Sequence, residues 1–193
     1  MVQVDRGEHL RSGEWLDLNR AWWDAQPEGD PSGRAIPEAR DGARVLRLQS
    51  GDGVDAVALA LTGVDVVGID FSMPAVRRAR ARAAQAGVTD RARFVCANLY
   101  ELRHMLPEPD SFDLVIGSRA ALAWLPDLEE WARIVEWFLK PGGELVLEDG
   151  SAPPVGGADV GRWEHSTDAI VGVLDATGLR VTAGAGFVAT KPA

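Results

Sequence analysis

Residues Arg44 to Asp70, RVLRLQSGDGVDAVALALTGVDVVGID, constrain this chain more than any other stretch. A short apolar run, Val45 to Leu48, meets Gly51-Asp52-Gly53. An alanine-rich helical segment follows, and a second apolar run, Val64 to Ile69, ends on Asp70. The order is strand, glycine turn, helix, strand, acid. Glycines in such a turn permit positive φ and let a ligand approach the backbone, while the first helical turn offers unpaired N–H groups. An acid closing the second strand can accept from two ribose hydroxyls. Gly51, Gly53 and Ala56, with an acid roughly 20 residues past the first glycine, also meet the loose dinucleotide fingerprint. By itself the stretch therefore suits NAD or another adenosine cofactor.

The flanking sequence supplies the rest of an α/β order. Ser12 can cap a helix to about Ala25, with Trp15, Leu18 and Trp22 on one stripe and Asn19 and Trp23 beside it. Gln26 to Gly42 turns to Pro, Gly and charge and reads as a connector. Past Asp70, Ser72 caps a helix with Pro74 in its first turn, which stops at Gly87. Strands are expected at Ala92–Cys96, Phe112–Gly117 and Glu144–Glu148. Between them lie a short helix in Leu102–Asp110, a loop from Ser118 to Pro126, and a helix from Asp127 ended by Pro141-Gly142-Gly143. Gly150 to Gly161 reads as a mobile loop. Ser166 or Thr167 caps a last helix, and Leu179–Ala183 and Phe187–Thr190, split by Gly184-Ala185-Gly186, form an antiparallel hairpin.

Strand and helix alternate five times before that hairpin, so the sheet should be mostly parallel with one reversed strand near an edge. This order bears on the cofactor. A dinucleotide domain needs a second βαβ half for the nicotinamide, and nothing after Asp70 supplies one. A single domain ended by a hairpin suits a cofactor with one nucleoside.

Composition excludes several functions. The 193 residues fit one ordinary domain, and no apolar run approaches the roughly 20 residues that span a bilayer, so no membrane partner is expected. The start, MVQVDRGEHL, lacks the charged-then-apolar order of a signal peptide, which predicts a cytoplasmic location. A net charge of -9 opposes contact with phosphate backbones, so no nucleic-acid partner is expected. Arg77, Arg78, Arg80 and Arg82 read as the solvated face of a helix. Cys96 is the single cysteine, and His9, His104 and His165 lack zinc spacing, so neither a disulfide nor a metal is expected.

The chain resembles the class I S-adenosylmethionine-dependent methyltransferases from about residue 40 to 193. VLRLQSGDG stands at the family's glycine-rich first motif, VVGIDFS at the second, RFVCANLY at the third, FDLVIGS at the fourth and LKPGGELVL at the segment entering the fifth strand. LAWLPDL and NRAWWD resemble a subgroup whose first motif reads LHLQC. The resemblance implies a Rossmann-like α/β fold with a mostly parallel seven-stranded sheet, a terminal antiparallel hairpin and an N-terminal helical lid. Residues 1–42 would be lid helix and connector, and 43–193 the S-adenosylmethionine-binding unit.

Carried over by position, Gly51 and Gly53 would pass the cofactor's sugar and methionine part, and Gln49 stands at the motif's first glycine. Asp70 would hold the ribose hydroxyls, with Phe71 against the adenine. Asn98 would accept from the adenine amino group and Leu99 pack on the ring. Ser118 and Arg119 would lie near the sulfonium. Trp22 and Trp23 resemble lid aromatics, whose faces attract cations. The family's usual acid is Arg47 here, a charge in a central strand that must find a carboxylate such as Glu148, Asp149 or the cofactor's own.

Plainer readings stand beside these. Asp70 can cap the next helix, Asn98 can be a turn residue, Cys96 a buried small hydrophobe, and Trp131 and Trp137 core. Methyl transfer needs a base only when the acceptor atom carries a proton, and His165, with Glu148 at a strand's carboxyl end, are the candidates. The implied function is methyl transfer from S-adenosylmethionine to a small molecule. The alternatives are a methyltransferase-like ligand- or partner-binding module without transfer, and a small NAD(P)-binding oxidoreductase.

Overall fold

The computed structural model describes residues 10, 12–27, 39–150, 154–156, 158, 160–183 and 187–193. The first strand, β1 (Arg44–Arg47), lies at the sheet's centre, parallel to β2 (Asp65–Asp70) on one side and β4 (Phe112–Ser118) on the other. The full order is β3-β2-β1-β4-β5-β7-β6, with β3 Ala92–Cys96, β5 Leu139–Glu148, β6 Arg180–Ala183 and β7 Phe187–Thr190. Among the described strands β7 is the reversed one, antiparallel to β5 and to the edge strand β6, as the hairpin predicts. The chain builds outward from β1 to β3, then returns to build the other half from β4. That reversal opens a crevice at the carboxyl ends of β1 and β4.

Both faces of the sheet are covered, which is why the central strands read as continuous apolar runs. Val45, Val66, Leu114 and Ile116 face α2 (Val54–Leu61) and α3 (Met73–Gln85), packing with Leu59, Val76 and Ala79. Leu46, Val67 and Val115 face the opposite layer, with Trp131 and Phe138 of α6 (Leu128–Phe138) and Leu174 of α7 (Thr167–Ala176). Each such large side chain contributes roughly 1.5–3 kcal/mol by burial. Between these elements lie a 3-10 turn, Leu99–Glu101, and short helices α4 (Leu102–Met105) and α5 (Arg119–Leu122).

The caps largely follow the sequence. Ser72 accepts from Ala75 N, Asp127 from Glu130 N and Ser166 from Ala169 N. Other expectations are corrected. Helix α1 spans Glu14–Asp24 without a side-chain cap, and it buries Leu16 and Asn19 rather than the Trp15, Leu18 and Trp22 stripe. The cause is Asn19, whose Nδ2 donates to Gly161 O at 3.0 Å while its Oδ1 accepts from Gly161 N at 2.8 Å. This pair docks α1 on the segment leading to α7, and Trp15 packs edge-on against Trp163 there.

Pro141-Gly142-Gly143 does not end a helix. Helix α6 stops at Phe138, and Leu139 already pairs with Phe112, so the three residues form an irregularity inside β5. The Ser118–Pro126 loop contains α5. Most of the expected connector (28–38), part of the Gly150–Gly161 loop (151–153, 157 and 159) and the hairpin turn (184–186) lie outside the described residues. Among the described residues no helix is long and apolar enough to cross a membrane.

Candidate functional site

The crevice is walled by the loop between β1 and α2. Gln49, Gly51 and Gly53 all take left-handed backbone, at φ 48°, 54° and 76°. Gln49 does so without glycine's freedom, at a cost of about 1 kcal/mol, and its Nε2 donates to Ala121 O at 3.0 Å. The loop is also held by Ser50 N donating to Ile69 O at 2.8 Å.

Asp70 joins this loop to the start of α3. Its Oδ2 accepts from Gly51 N at 2.8 Å and its Oδ1 from Ser72 N at 2.9 Å. Burial is the largest influence on its carboxyl and raises the pKa from 3.8 to about 6, against the lowering effect of those backbone donors and with a further rise from the charge of Asp24. The group is poised to gain from any ligand that donates to it.

Around these residues lies a cavity of about 220 Å³ lined by Trp23, Arg47, Gln49, Ser50, Gly51, Asp55, Asp70, Phe71, Arg78, Ser118 and Trp124, among others. A smaller one of about 30 Å³ adjoins it, lined in part by Gln49, Asp70, Phe71, Asn98 and Leu99. Three tryptophans close one side. The rings of Trp22 and Trp124 stack at 5.0 Å, and Trp23 meets both edge-on at 5.0 and 5.1 Å.

The structure thus brings Trp23, Gln49, Gly51, Asp70, Phe71 and Ser118 to the main cavity, Asn98 and Leu99 to the adjoining one, and Trp22 to the stack behind Trp124. The Asn98 side chain is engaged locally, with Nδ2 donating to Leu10 O at 2.8 Å and Oδ1 accepting from Tyr100 N at 3.2 Å. Gly53 faces away from the cavity. A Cβ there would lie 2.7 Å from Ala79 Cβ and 2.8 Å from the Phe94 ring, so this glycine serves the close packing of α2, α3 and β3.

Neither candidate base is among the residues lining the cavity, although Glu148 touches Arg47, which is. His165 lines a separate open pocket with Arg119 and Arg162, its Nε2 2.9 Å from Leu125 O. The segment from Gly161 to His165 is held along α5 by Trp163 N donating to Ala123 O, which carries the imidazole past the crevice. Arg119 leaves with it, donating to Thr167 Oγ1 at 2.8 Å. Glu148 pairs with Arg47 at 2.7 Å.

Arg47 has a second carboxylate that the sequence reading overlooked, Asp55, at 3.1 Å. Its signal was position, in the first turn of the helix behind the glycine loop. The arginines of α3 are not one solvated face either. Arg78 lines the cavity, Arg80 Nη2 donates to Phe94 O at 2.7 Å, and Arg82 pairs with Asp52 at 3.3 Å. Among the described residues, the buried side-chain atoms without a hydrogen-bond partner are Asp24 Oδ1, Arg47 Nη1, Ser50 Oγ and Arg78 Nε. Unpaired buried polar atoms are costly, and three of the four sit on residues of the cavity wall, while the fourth neighbours Trp23.

Residues 39–170 match the family described as "Methyltransferase domain". The chain belongs to the class I S-adenosylmethionine-dependent methyltransferases. This methyltransferase-family chain is 35% identical over 145 residues to the 27-O-demethylrifamycin SV methyltransferase of Amycolatopsis mediterranei (strain S699), covering 74% of this chain and 52% of that protein. It is 38% identical over 117 residues to the demethylmenaquinone methyltransferase of Clavibacter sepedonicus, covering 59% of this chain and 44% of that one. The chain spans about half the length of these two curated relatives. In fold it is similar to the geranyl diphosphate C-methyltransferase from Streptomyces coelicolor A3(2), with a TM-score of 0.71 over 90% of this chain and 82% of that one at 14% identity.

Proposed function

We propose that the chain transfers a methyl group from S-adenosylmethionine to a small organic molecule. The observation carrying this reading is the cleft beyond β1, β2 and β4, where the Asp70 carboxylate ties the glycine loop to α3 in the cavity wall. When bound, S-adenosylmethionine supplies an electrophilic methyl group on a sulfonium. Asp70 accepts from the ribose hydroxyls, Phe71 lies against the adenine, and the backbone at Gly51 passes the sugar. Trp22, Trp23 and Trp124 exclude water, and their faces suit a nearby cation. Ser118, at the end of β4, lines the same cavity and would lie near the sulfonium.

His165 and Glu148 are not among the residues lining the cavity, so in this reading alignment of the acceptor with the methyl group carries the step. Residues 1–42 act as lid and connector over the unit 43–193. The names of the two relatives, a 27-O-demethylrifamycin SV methyltransferase and a demethylmenaquinone methyltransferase, support a small-molecule acceptor. A second reading, binding without transfer, is favoured by Arg47 and Gln49 standing where the family pattern has an acid and a glycine.

Incubation with S-adenosylmethionine carrying a labelled methyl group and a panel of small hydroxyl, amine and thiol acceptors tests both. Label transfer to an acceptor is the expected result. Saturable binding without transfer across the panel would favour the second reading. Saturable binding of NADH with none of S-adenosylmethionine would contradict both.

A further inference from the structure

Helix α5 contributes to two spaces. Ala120 and Ala121 line the main cavity, while Arg119 and Ala123, just past the helix, line a second, open pocket of about 470 Å³ with Arg162, Glu164 and His165. That size suits a small organic molecule. The segment forming its other wall is fixed in place. Trp163 N donates to Ala123 O at 2.9 Å, and His165 Nε2 lies 2.9 Å from Leu125 O. A carbonyl only accepts, so Nε2 carries the hydrogen and Nδ1 is left for a ligand.

Two arginines meet in this pocket, in a chain with 29 acidic against 20 basic residues. Protein carboxylates do not use them up. Arg162 is exposed and makes no ion pair among the described residues. Arg119 is aimed by Thr167, whose Oγ1 accepts from Nη2 at 2.8 Å, and its carboxylate partner, Asp149 at 3.7 Å, is 95% exposed. An ion pair that long and that wet contributes little and yields to a better acceptor. Glu164 lines the pocket but pairs with neither arginine. Guanidinium forks match the paired oxygens of a carboxylate or a phosphate.

The pocket also touches the cofactor cleft. The guanidinium of Arg162 lies 5.3 Å over the ring of Trp124, the same ring that lines the main cavity and stacks on Trp22. Ser118, which lines the main cavity, directly precedes Arg119.

We propose that this pocket holds the anionic group of the methyl acceptor, a carboxylate or a phosphate monoester, with Arg119 and Arg162 as the residues that select it. The inference rests on the proposed transfer reaction and names the acceptor's class. The charged end of the acceptor sits with the arginines, and its organic part extends along α5 toward Ser118.

Calorimetric titration of the full chain, saturated with S-adenosylhomocysteine, with phenyl phosphate, benzoate, phenol and inorganic phosphate tests this. Phenyl phosphate or benzoate should bind at least about 10-fold more tightly than phenol, the low end for hydrogen bonds to charged groups. Inorganic phosphate, which lacks the organic part, should bind more weakly than phenyl phosphate. Arg119→Gln and Arg162→Gln should each remove most of the preference over phenol and Arg119→Lys should keep part of it, with a cooperative thermal transition as the check on folding. Phenol binding as tightly as both anions overturns the proposal, as does a preference that survives in both glutamine variants. Inorganic phosphate binding as tightly as phenyl phosphate makes this a plain anion site and overturns the acceptor assignment. Competition between the anions and S-adenosylhomocysteine puts the anion in the main cavity, where Arg78 lies, and overturns it too. Should the variants fail to fold, the ratio to phenol and the competition in the unaltered chain decide. If S-adenosylhomocysteine itself does not bind, the cofactor reading fails and the acceptor assignment falls with it. If it binds and the anions show no preference, only this inference fails.

Discussion

The backbone N–H of Gly51 donates to Oδ2 of Asp70 across 2.8 Å, joining the end of β1 to the end of β2 through a carboxylate 8% exposed. The same carboxylate receives Ser72 N at 2.9 Å. Asp70 therefore shapes the rim of the cleft and keeps lone pairs for a ligand. Asp70→Asn should weaken S-adenosylmethionine binding by about 10-fold or more, since charge-assisted hydrogen bonds become neutral ones. Its melting temperature should fall, because asparagine has one acceptor oxygen for the two backbone donors Gly51 N and Ser72 N and turns an NH2 toward the other, a loss that removal of the buried charge offsets only in part. Calorimetry and thermal denaturation on one preparation check both, and unchanged affinity would refute the role.

Asp70 also sets a pH dependence. Its folded pKa of about 6 lies above the ordinary 3.8, with burial as the main cause. Between about pH 4 and about pH 6 the fold keeps a proton that the unfolded chain has lost, so this residue's effect on stability becomes less favourable as pH rises through that window. The size is a few kcal/mol, reached in full above about pH 6. Cofactor hydroxyls favour the ionised form, so affinity should rise from about pH 5 to about pH 7.5, with proton release on binding near pH 6. Titrations in buffers of differing ionisation enthalpy read this directly. A flat affinity would count against Asp70 as the ribose acceptor.

Gly53 gives a stability test with little direct effect on the ligand. A methyl group there would lie within 2.8 Å of Ala79 and Phe94, on backbone at φ 76°. Gly53→Ala should cost about 2–4 kcal/mol, from strain and overpacking together. Chemical denaturation measures it, and a change below about 0.5 kcal/mol would show that α3 and β3 yield.

The fold was legible where local pattern and tertiary demand agree. Apart from Arg47 and the exposed Asp65, Val45–Leu48 and Val64–Ile69 are without polar alternation because helices cover both faces, and the glycines past Leu48 and the acid at Asp70 mark the turns. It failed where a distant partner decides. Pro141-Gly142-Gly143 has the composition of a helix stop, yet the pairing of Leu139 with Phe112 starts a strand earlier. Asn19 resembled the flank of an apolar stripe, and only the backbone of Gly161, 142 residues away, makes it the buried residue. The charge at Arg47 announced a missing carboxylate. That two would answer, one from α2 and one from β5, depended on how the helix and strand ends meet.

Asn19 makes the docking of α1 testable. Asn19→Leu removes both bonds to Gly161 and leaves that backbone pair unsatisfied, which should cost about 2–3 kcal/mol. If α1 serves as a lid, the variant should also bind S-adenosylmethionine several-fold more weakly, with altered tryptophan fluorescence as Trp22 and Trp23 leave Trp124. Full affinity despite the loss of stability would separate α1 from the cofactor.

The central claim is that the cleft between Gly51, Asp70 and the tryptophan stack holds an adenosyl cofactor. Isothermal titration of the folded, full chain with S-adenosylhomocysteine tests it most directly. Saturable binding of one ligand per chain is predicted, with a dissociation constant on the order of micromolar and marked weakening in Asp70→Asn. Absence of binding at ligand concentrations of about 1 mM, by protein that melts cooperatively, would contradict it.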